Sequence, residues 1–135
     1  MNIALMAHDR KKELMVQFCI AYCGILSAHS ICATNSTGRV VMEATGLPID
    51  LYLSCDQGGD QQMCARLAYN ELDLVLFFAD PANEKGMESL SKIIRLCDQQ
   101  NVPIATNVAT AEVLVRGLKD GLLDWRDIVN PKRKV

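Results

Sequence analysis

One short stretch of the sequence has residue types suited to acid–base chemistry, Gly58-Gly59-Asp60-Gln61-Gln62. Asp60 follows an apolar run at 51–53 and precedes a helical pattern that uses Met63 and Leu67. A carboxylate in that position lies where a strand passes into a helix, which is where ligands bind in open parallel sheets. The same residues also suit a helix cap and a turn. The stretch alone therefore leaves both a functional and a structural role open.

A second polar stretch, Thr34-Asn35-Ser36-Thr37-Gly38, precedes another helical pattern. Its hydroxyl, amide and backbone N–H groups are the donors with which proteins hold phosphate at a helix N-terminus. Lys11 and Lys12 fall in the first turn of a further predicted helix, where the helix dipole disfavours cations unless an anion joins them. A Ser/Thr-rich capping turn and chance placement explain the same features without a ligand. The sequence therefore suggests an anion site and leaves the alternative open.

These polar stretches follow apolar runs that predict five buried parallel strands alternating with helices. The runs cover residues 2–7, 30–33, 49–53, 71–79 and 101–105, and Asp9 is predicted to cap the first helix. Parallel strands end at one edge of a sheet, so His8, Asp60 and Asp80 are expected to lie near one another. The alternation predicts a three-layer, doubly wound, flavodoxin-like α/β fold with a five-stranded parallel sheet.

Composition bounds the kind of protein. The 135 residues, 50% of them hydrophobic and 5% aromatic, suit one α/β domain over 1–130, followed by a basic C-terminal tail at 131–135. With 14 basic against 16 acidic residues, the net charge of −2 gives no electrostatic footprint for nucleic acid or an anionic membrane. We expect no membrane span and no signal peptide, and hence a cytoplasmic protein.

The chain has 6 cysteines but no pair spaced as C-x-x-C. Cys19 and Cys23 lie four residues apart, a spacing that places both on one face of a helix, and no further residues complete a zinc site. We therefore expect structural thiols, no metal and no cofactor. Cys55 is the exception, because it lies just before the Gly58-Gly59-Asp60 stretch.

Six motifs occur in order along the chain: Ala7-His8-Asp9 with Lys12, Thr34 to Gly38, Ala44-Thr45-Gly46, Ser54 with Gly58 to Gln62, Phe77 to Pro81, and Pro103 to Ala111. In this order and at this spacing they resemble the methylglyoxal synthase family, over essentially the whole chain. The resemblance implies a cytoplasmic, homohexameric lyase that converts dihydroxyacetone phosphate to methylglyoxal and inorganic phosphate. Its partner would be a small phosphorylated substrate, with neither nucleic acid nor membrane.

The resemblance also assigns roles to residues. Asp60 would be the catalytic base, Asp80 the second carboxylate of the site, and His8 would lie beside the substrate. The implied substrate- and phosphate-binding positions are His8, Lys12, Thr34, Asn35, Ser36, Thr37, Ser54, Cys55 and Gly59. A carboxylate base and a hydrogen-bond donor are what proton abstraction next to a ketone requires.

This chain departs from the family pattern at three places. Asn35 and Cys55 stand where the family has glycine, and the loop 82–89 lacks the histidine that in the family polarises the substrate carbonyl. His8 is then the candidate to replace that donor. Two interpretations follow: an active or weakened methylglyoxal synthase, or a non-catalytic phosphate-ligand-binding or regulatory module of the same family. A receiver-type phosphoacceptor fits the fold alone but leaves the Gly58 to Gln62 stretch unexplained.

Overall fold

The computed structural model describes residues 1–129, so the predicted tail at 131–135 lies outside the described residues. Within this range five parallel strands form one sheet: β1 Asn2–Ala7, β2 Ser30–Ala33, β3 Ile49–Leu51, β4 Leu74–Phe78 and β5 Ile104–Ala105. Their order across the sheet is β3-β2-β1-β4-β5. The predicted doubly wound, five-stranded parallel sheet is therefore confirmed, and the winding reverses between β1 and β4.

Helices cover both faces of the sheet. They are α1 Lys12–Ala21, α2 Cys23–Leu26, α3 Asn35–Thr45, α4 Gly59–Ala68, α5 Glu84–Gln100, α6 Val108–Lys119 and α7 Trp125–Val129, with 3₁₀ turns at Asp9–Lys11 and Cys55–Gln57. α1, α3 and α6 pack on one face, and α4 and α5 pack on the other. Within residues 1–129 no helix combines the length and the apolar character that a membrane crossing requires.

The strands are apolar throughout because each residue meets a helix on one face or the other. In β1, Ile3 and Leu5 pack toward α1, whereas Ala4 and Met6 pack toward α4 and α5. All four side chains are fully buried or nearly so. This two-sided burial produces the continuous apolar runs of a central parallel strand.

Several predicted boundaries differ from the observed ones. The predicted strand 71–79 shortens to Leu74–Phe78, because β1 offers partners only from Ile3, opposite Leu74, to Ala7, opposite Phe78. The polar stretch after β2 is the first turn of α3 and not a loop before it, since α3 begins at Asn35. The predicted cap at Asp9 is wrong: Asp9 lies inside a 3₁₀ turn that precedes α1.

At the amino edge of the sheet a buried ion pair holds α7 in place. Arg126 Nε lies 3.1 Å from Asp73 Oδ1, and both side chains are almost completely buried. Arg126 also donates to the carbonyl of Asn101 at 2.6 Å, and Asp73 Oδ2 accepts from the backbone N–H of Asn2 at 2.8 Å. Buried charges are tolerated when they are paired and hydrogen-bonded in this way. The start and the end of the described chain thus meet at the edge opposite to the one where the strands end.

Candidate active site

A cavity of about 590 Å³ opens at the carboxyl edge of the sheet. It lies between the end of β1, the first turn of α3, the 3₁₀ turn at Cys55–Gln57 and the start of α5. Its volume falls in the range of pockets that take small molecules. Six residues predicted to form a site line it: His8, Lys12, Thr34, Ser36, Ser54 and Cys55.

The first turn of α3 forms part of the cavity wall and has the chemistry of an anion site, so it is called the anion-binding turn below. Thr34 is the residue before the helix, with an extended backbone and no hydrogen bond from its side chain to the helix start. The first N–H groups of a helix have no partners inside the helix, and they carry its positive dipole end. Thr37 Oγ1 is buried beneath this turn and has no hydrogen-bond partner among residues 1–129. The turn therefore has the donors that a phosphate group requires.

Lys12 brings the positive charge to this wall. Its Nζ contacts Asp9 Oδ1 at 2.6 Å, and both residues line the cavity. The hydrogen bond and the charge of Lys12 together hold the pKa of the Asp9 carboxyl below its usual value. Because Asp9 is almost entirely exposed, this pair contributes little to stability. Its effect is to hold the Lys12 ammonium group at the mouth of the cavity.

His8 is fixed in one tautomer by the strand next to it. The residue is 8% exposed, and its Nδ1 accepts a hydrogen bond of 2.7 Å from the backbone N–H of Asp80. A backbone amide can only donate, so the neutral ring carries its proton on Nε2. Nε2 has no hydrogen-bond partner among residues 1–129. The ring packs edge-on against Phe77 at 5.0 Å, which holds its plane. His8 therefore lines the cavity as a neutral ring whose N–H group on Nε2 is buried and has no partner in the described part of the chain.

Gly86, in the first turn of α5, leaves room for the His8 ring because it has no side chain. A Cβ atom at this position would lie 2.4 Å from His8 Nε2, which is closer than Cβ atoms come to other heavy atoms. Gly86 and His8 both line the cavity. Only glycine at position 86 leaves the ring in its observed position, because the backbone of α5 approaches it closely.

Asp60 is held from both sides at the start of α4. Its Oδ1 accepts from the backbone N–H of Gln61 at 2.9 Å, and its Oδ2 accepts from the hydroxyl of Ser89 at 3.3 Å. Gly59 lets α4 begin close to the segment that follows β3, since a Cβ there would lie 1.9 Å from the carbonyl oxygen of Leu53. Asp60 is partly buried and does not line the cavity itself, but its hydrogen-bond partner Ser89 does.

The other predicted site residues lie around the cavity and not on its wall. The carbonyl of the Asn35 side chain accepts from Arg39 Nε at 2.8 Å, one turn further along α3, and Thr37 is buried below that turn. Asp80 Oδ1 accepts from the backbone N–H of Ala82 at 3.0 Å, in the turn after β4. The main-chain amide of Asp80, and not its carboxylate, contacts His8.

Sequence reasoning missed the contribution of α5. Asn83, Lys85, Gly86 and Ser89 all line the cavity, whereas the sequence predicts only a loop at 82–86, without a histidine, before a long helix. Asn83 caps α5 by accepting from the backbone N–H of Gly86 at 2.9 Å, and this fixes the first turn of the helix. The sequence signal for this is Asn83, a residue type that favours the N-cap position. It predicts that a helix begins soon after β4.

Cys55 also lines the cavity. It is the exposed member of the six cysteines, all of which lie in 1–129 and are unbonded. Burial of the sulfur raises the pKa of its thiol, and a hydrogen bond with Thr34 acts in the opposite direction. Its side chain therefore adds a neutral thiol beside the anion-binding turn.

The parallel sheet, with a helix N-terminus, a cation, a neutral imidazole and a carboxylate grouped at its carboxyl edge, defines an α/β protein with a candidate small-molecule site at its switch point. Residues 15–106 match the MGS-like domain family. The chain therefore belongs to the methylglyoxal synthase-like family, as the six motifs had predicted.

Individual relatives agree with the family assignment. The chain is 54% identical to a methylglyoxal synthase of Caldicellulosiruptor saccharolyticus, over 98% of this chain and 94% of the relative. It is 53% identical to one from Lysinibacillus sphaericus, over 93% and 95% of the two chains. The crystal structure of methylglyoxal synthase from Elizabethkingia anophelis superposes with a TM-score of 0.77 at 35% identity, covering 84% of this chain and 76% of that one. Similarity of this extent favours the enzyme over the non-catalytic module.

Proposed function

We propose that this protein is an active lyase that converts dihydroxyacetone phosphate to methylglyoxal and inorganic phosphate. The observation that carries the proposal is the arrangement of donor and base around one cavity. His8 and the anion-binding turn of α3 line it directly, and the Asp60 carboxylate lies next to it, hydrogen-bonded to the cavity-lining Ser89. Identity of 54% over 98% of the chain to a protein named methylglyoxal synthase supports the same reaction.

In the first step Asp60 removes a proton from the carbon next to the ketone. A carboxylate in this role accelerates proton transfer by roughly 10²- to 10⁴-fold. Negative charge develops on the carbonyl oxygen as the proton leaves. We assign the Nε2–H of His8 to that oxygen, because the tautomer is fixed and Nε2 has no hydrogen-bond partner among residues 1–129. His8 thereby takes the role of the histidine that the loop 82–89 lacks.

In the second step the enediolate loses its phosphate. The C–O bond breaks with its electron pair leaving on the phosphate, and the enol of methylglyoxal remains. This requires the C–O bond to lie along the enediolate π system, so the phosphate must be held rigidly. We assign this task to Lys12, Thr34, Ser36 and Ser54 on the cavity wall, with Thr37 below them.

Asn35, Gly59 and Asp80 act indirectly in this proposal. Asn35 anchors the outer face of the anion-binding turn through Arg39, and Gly59 sets the start of the helix that carries Asp60. Asp80 supports the site as its second carboxylate by shaping the turn after β4, and its amide orients His8. Cys55 lies beside the phosphate position without donating to it.

We infer further that the protein acts in the cytoplasm as a homohexamer. The family resemblance supports this assembly, and so do large apolar side chains at the surface of the single chain. In the single chain Tyr69 is 78% exposed and Ile128 is 77% exposed. A contact between subunits would cover such side chains. Size-exclusion chromatography with light scattering measures the mass of the assembly directly. A monomer at micromolar protein concentration would overturn the hexamer.

The test of the reaction is a stopped assay with purified protein and dihydroxyacetone phosphate, in which methylglyoxal is trapped and released phosphate is counted. We expect both products in equal amounts, and their loss in Asp60→Asn. Asp98→Asn is the matched control, because Asp98 is an exposed carboxylate on the distal part of α5. Phosphate binding by the wild-type protein without release of either product would instead establish a non-catalytic module.

A further inference from the structure

The Asp60 carboxylate receives one hydrogen bond from its own helix and one from another. Gln61, the next residue, donates through its backbone N–H at 2.9 Å to Oδ1. Ser89, 29 residues away on α5, donates through its hydroxyl at 3.3 Å to Oδ2. The bond from Gln61 is local, so it moves together with the backbone of α4. Among the hydrogen bonds of residues 1–129, the Ser89 bond alone ties this carboxylate to α5, the helix that carries another wall of the cavity.

Ser89 connects the carboxylate to the cavity. It is partly buried and lines the cavity, and its hydroxyl contacts Asp60, which is also partly buried. An ionised carboxylate has about four lone-pair positions, so two accepted hydrogen bonds leave others for a substrate proton. Catalytic groups must be held to within roughly 0.5 Å of the productive geometry, and contacts from a rigid element provide that.

We propose that Ser89 is a positioning residue for Asp60, holding the carboxylate plane toward the cavity by its hydroxyl. The inference rests on the proposed function, because it gives Asp60 the role of base. It goes beyond the family resemblance, which assigns nothing to position 89. A serine on α5 thus makes the base dependent on the same helix whose first turn leaves room for His8.

The kinetic test compares Ser89→Ala with Ser89→Thr, which keeps a hydroxyl. Ser91→Ala is the control, because Ser91 is an exposed serine on the same helix and lies outside the cavity. We expect Ser89→Ala to lower kcat about tenfold, since misplacement of a reacting group by 1 Å costs up to roughly 10² in rate. KM for dihydroxyacetone phosphate should stay within about twofold, because Ser89 lies apart from the anion-binding turn. Ser89→Thr should recover most of the rate, and Ser91→Ala should match the wild type.

Substrate deuterated at the carbon that loses its proton gives a second readout. A misaligned base slows the proton transfer itself, so the kinetic isotope effect on kcat should rise in Ser89→Ala and return in Ser89→Thr. A loss of rate with an unchanged isotope effect would overturn the proposal, because the defect would then lie outside proton abstraction. A kcat in Ser89→Ala equal to the wild type would overturn it too.

Crystal structures of the wild type and both variants provide a test that needs no turnover. We expect the Asp60 carboxylate to rotate away from its observed plane in Ser89→Ala and to keep it in Ser89→Thr. If the wild type turned over no substrate, the proposed function would be wrong, and these structures would decide the positioning role alone. An unmoved Asp60 in Ser89→Ala would overturn the inference in either case.

Discussion

The backbone N–H of Asp80 donates a 2.7 Å hydrogen bond to Nδ1 of His8, across two strands that are neighbours in space and 72 residues apart in sequence. The bond leaves the proton of the neutral ring on Nε2, facing Gly86. Side-chain ¹⁵N NMR at pH 8 should therefore show a protonated Nε2 and an unprotonated Nδ1 for His8. The reverse tautomer would contradict the assignment.

Loss of this donor should impair the chemical step. We expect His8→Asn to lower kcat by roughly 10²- to 10³-fold, the cost of removing one donor from a developing oxyanion, because the shorter side chain can still accept from the Asp80 N–H but has no donor at the Nε2 position. The chain has 2 histidines, and His29, outside the cavity, makes His29→Asn the matched control. His29→Asn should retain wild-type kcat. Equal losses in both variants would show that the effect is structural.

Gly86→Ala should disturb the site while leaving the fold intact. The added Cβ would lie 2.4 Å from His8 Nε2, so the ring or the first turn of α5 must shift. We expect kcat to fall by about tenfold or more, as for small misplacements of reacting groups. Gly24→Ala is the control, because nothing lies within 4 Å of a Cβ at that position. Retention of full activity in Gly86→Ala would show that close contact with His8 is not needed.

Lys12→Ala should act on substrate binding. A charge-assisted hydrogen bond to phosphate contributes about 1.5 to 3 kcal/mol, so KM should rise by roughly tenfold or more, with a smaller change in kcat. Lys11, the neighbouring lysine, does not line the cavity and makes Lys11→Ala the control. Inhibition by added inorganic phosphate should weaken in the same proportion as KM rises. A KM equal to that of the wild type would remove Lys12 from the phosphate position.

The cysteines should differ sharply in reactivity. Burial raises the pKa of Cys19 and of Cys97 to about 12 each, so neither forms a thiolate near neutral pH. Cys55 is exposed, but its pKa is also raised, so its thiolate fraction is below that of an ordinary cysteine at pH 7 and grows as the pH rises. Alkylation followed by mass spectrometry should therefore modify Cys55 before Cys19 or Cys97, faster at higher pH. Inorganic phosphate should slow it, and Cys55→Ser should abolish the fast phase.

The order and type of the secondary structure could be predicted from the sequence because buried parallel strands leave a strong apolar pattern. The ends of the elements could not. β5 has only two residues, because β4 pairs with it only at Val75 and Leu76, although the apolar run begins earlier. Strand length in a parallel sheet depends on the partner's register, which is a tertiary property. The strand order β3-β2-β1-β4-β5 is tertiary in the same sense.

The residues of the site also fall into two groups, those that the sequence predicts and those that it does not. His8, Lys12 and Ser54 follow strand ends or helix starts, and position in the chain predicts their place on the cavity wall. Ser89 lies in the second turn of a long helix, and only the packing of α5 against α4 brings it to Asp60. Likewise, the reason for a glycine at position 86 is apparent only from its close approach to His8 in the fold. Contacts between residues far apart in the chain leave no local sequence signal, so Ser89 and Gly86 were not identified from the sequence.

Asp73 accepts hydrogen bonds from both Asn2, at 2.8 Å, and Arg126, at 3.1 Å. The first strand and the last described helix are therefore neighbours, at the amino edge of the sheet, while the cavity opens at the carboxyl edge. A protein tethered to a support or to a fluorescent label near α7 would keep its cavity turned toward solution. A tether on α3 or the first turns of α5 would instead crowd the entrance.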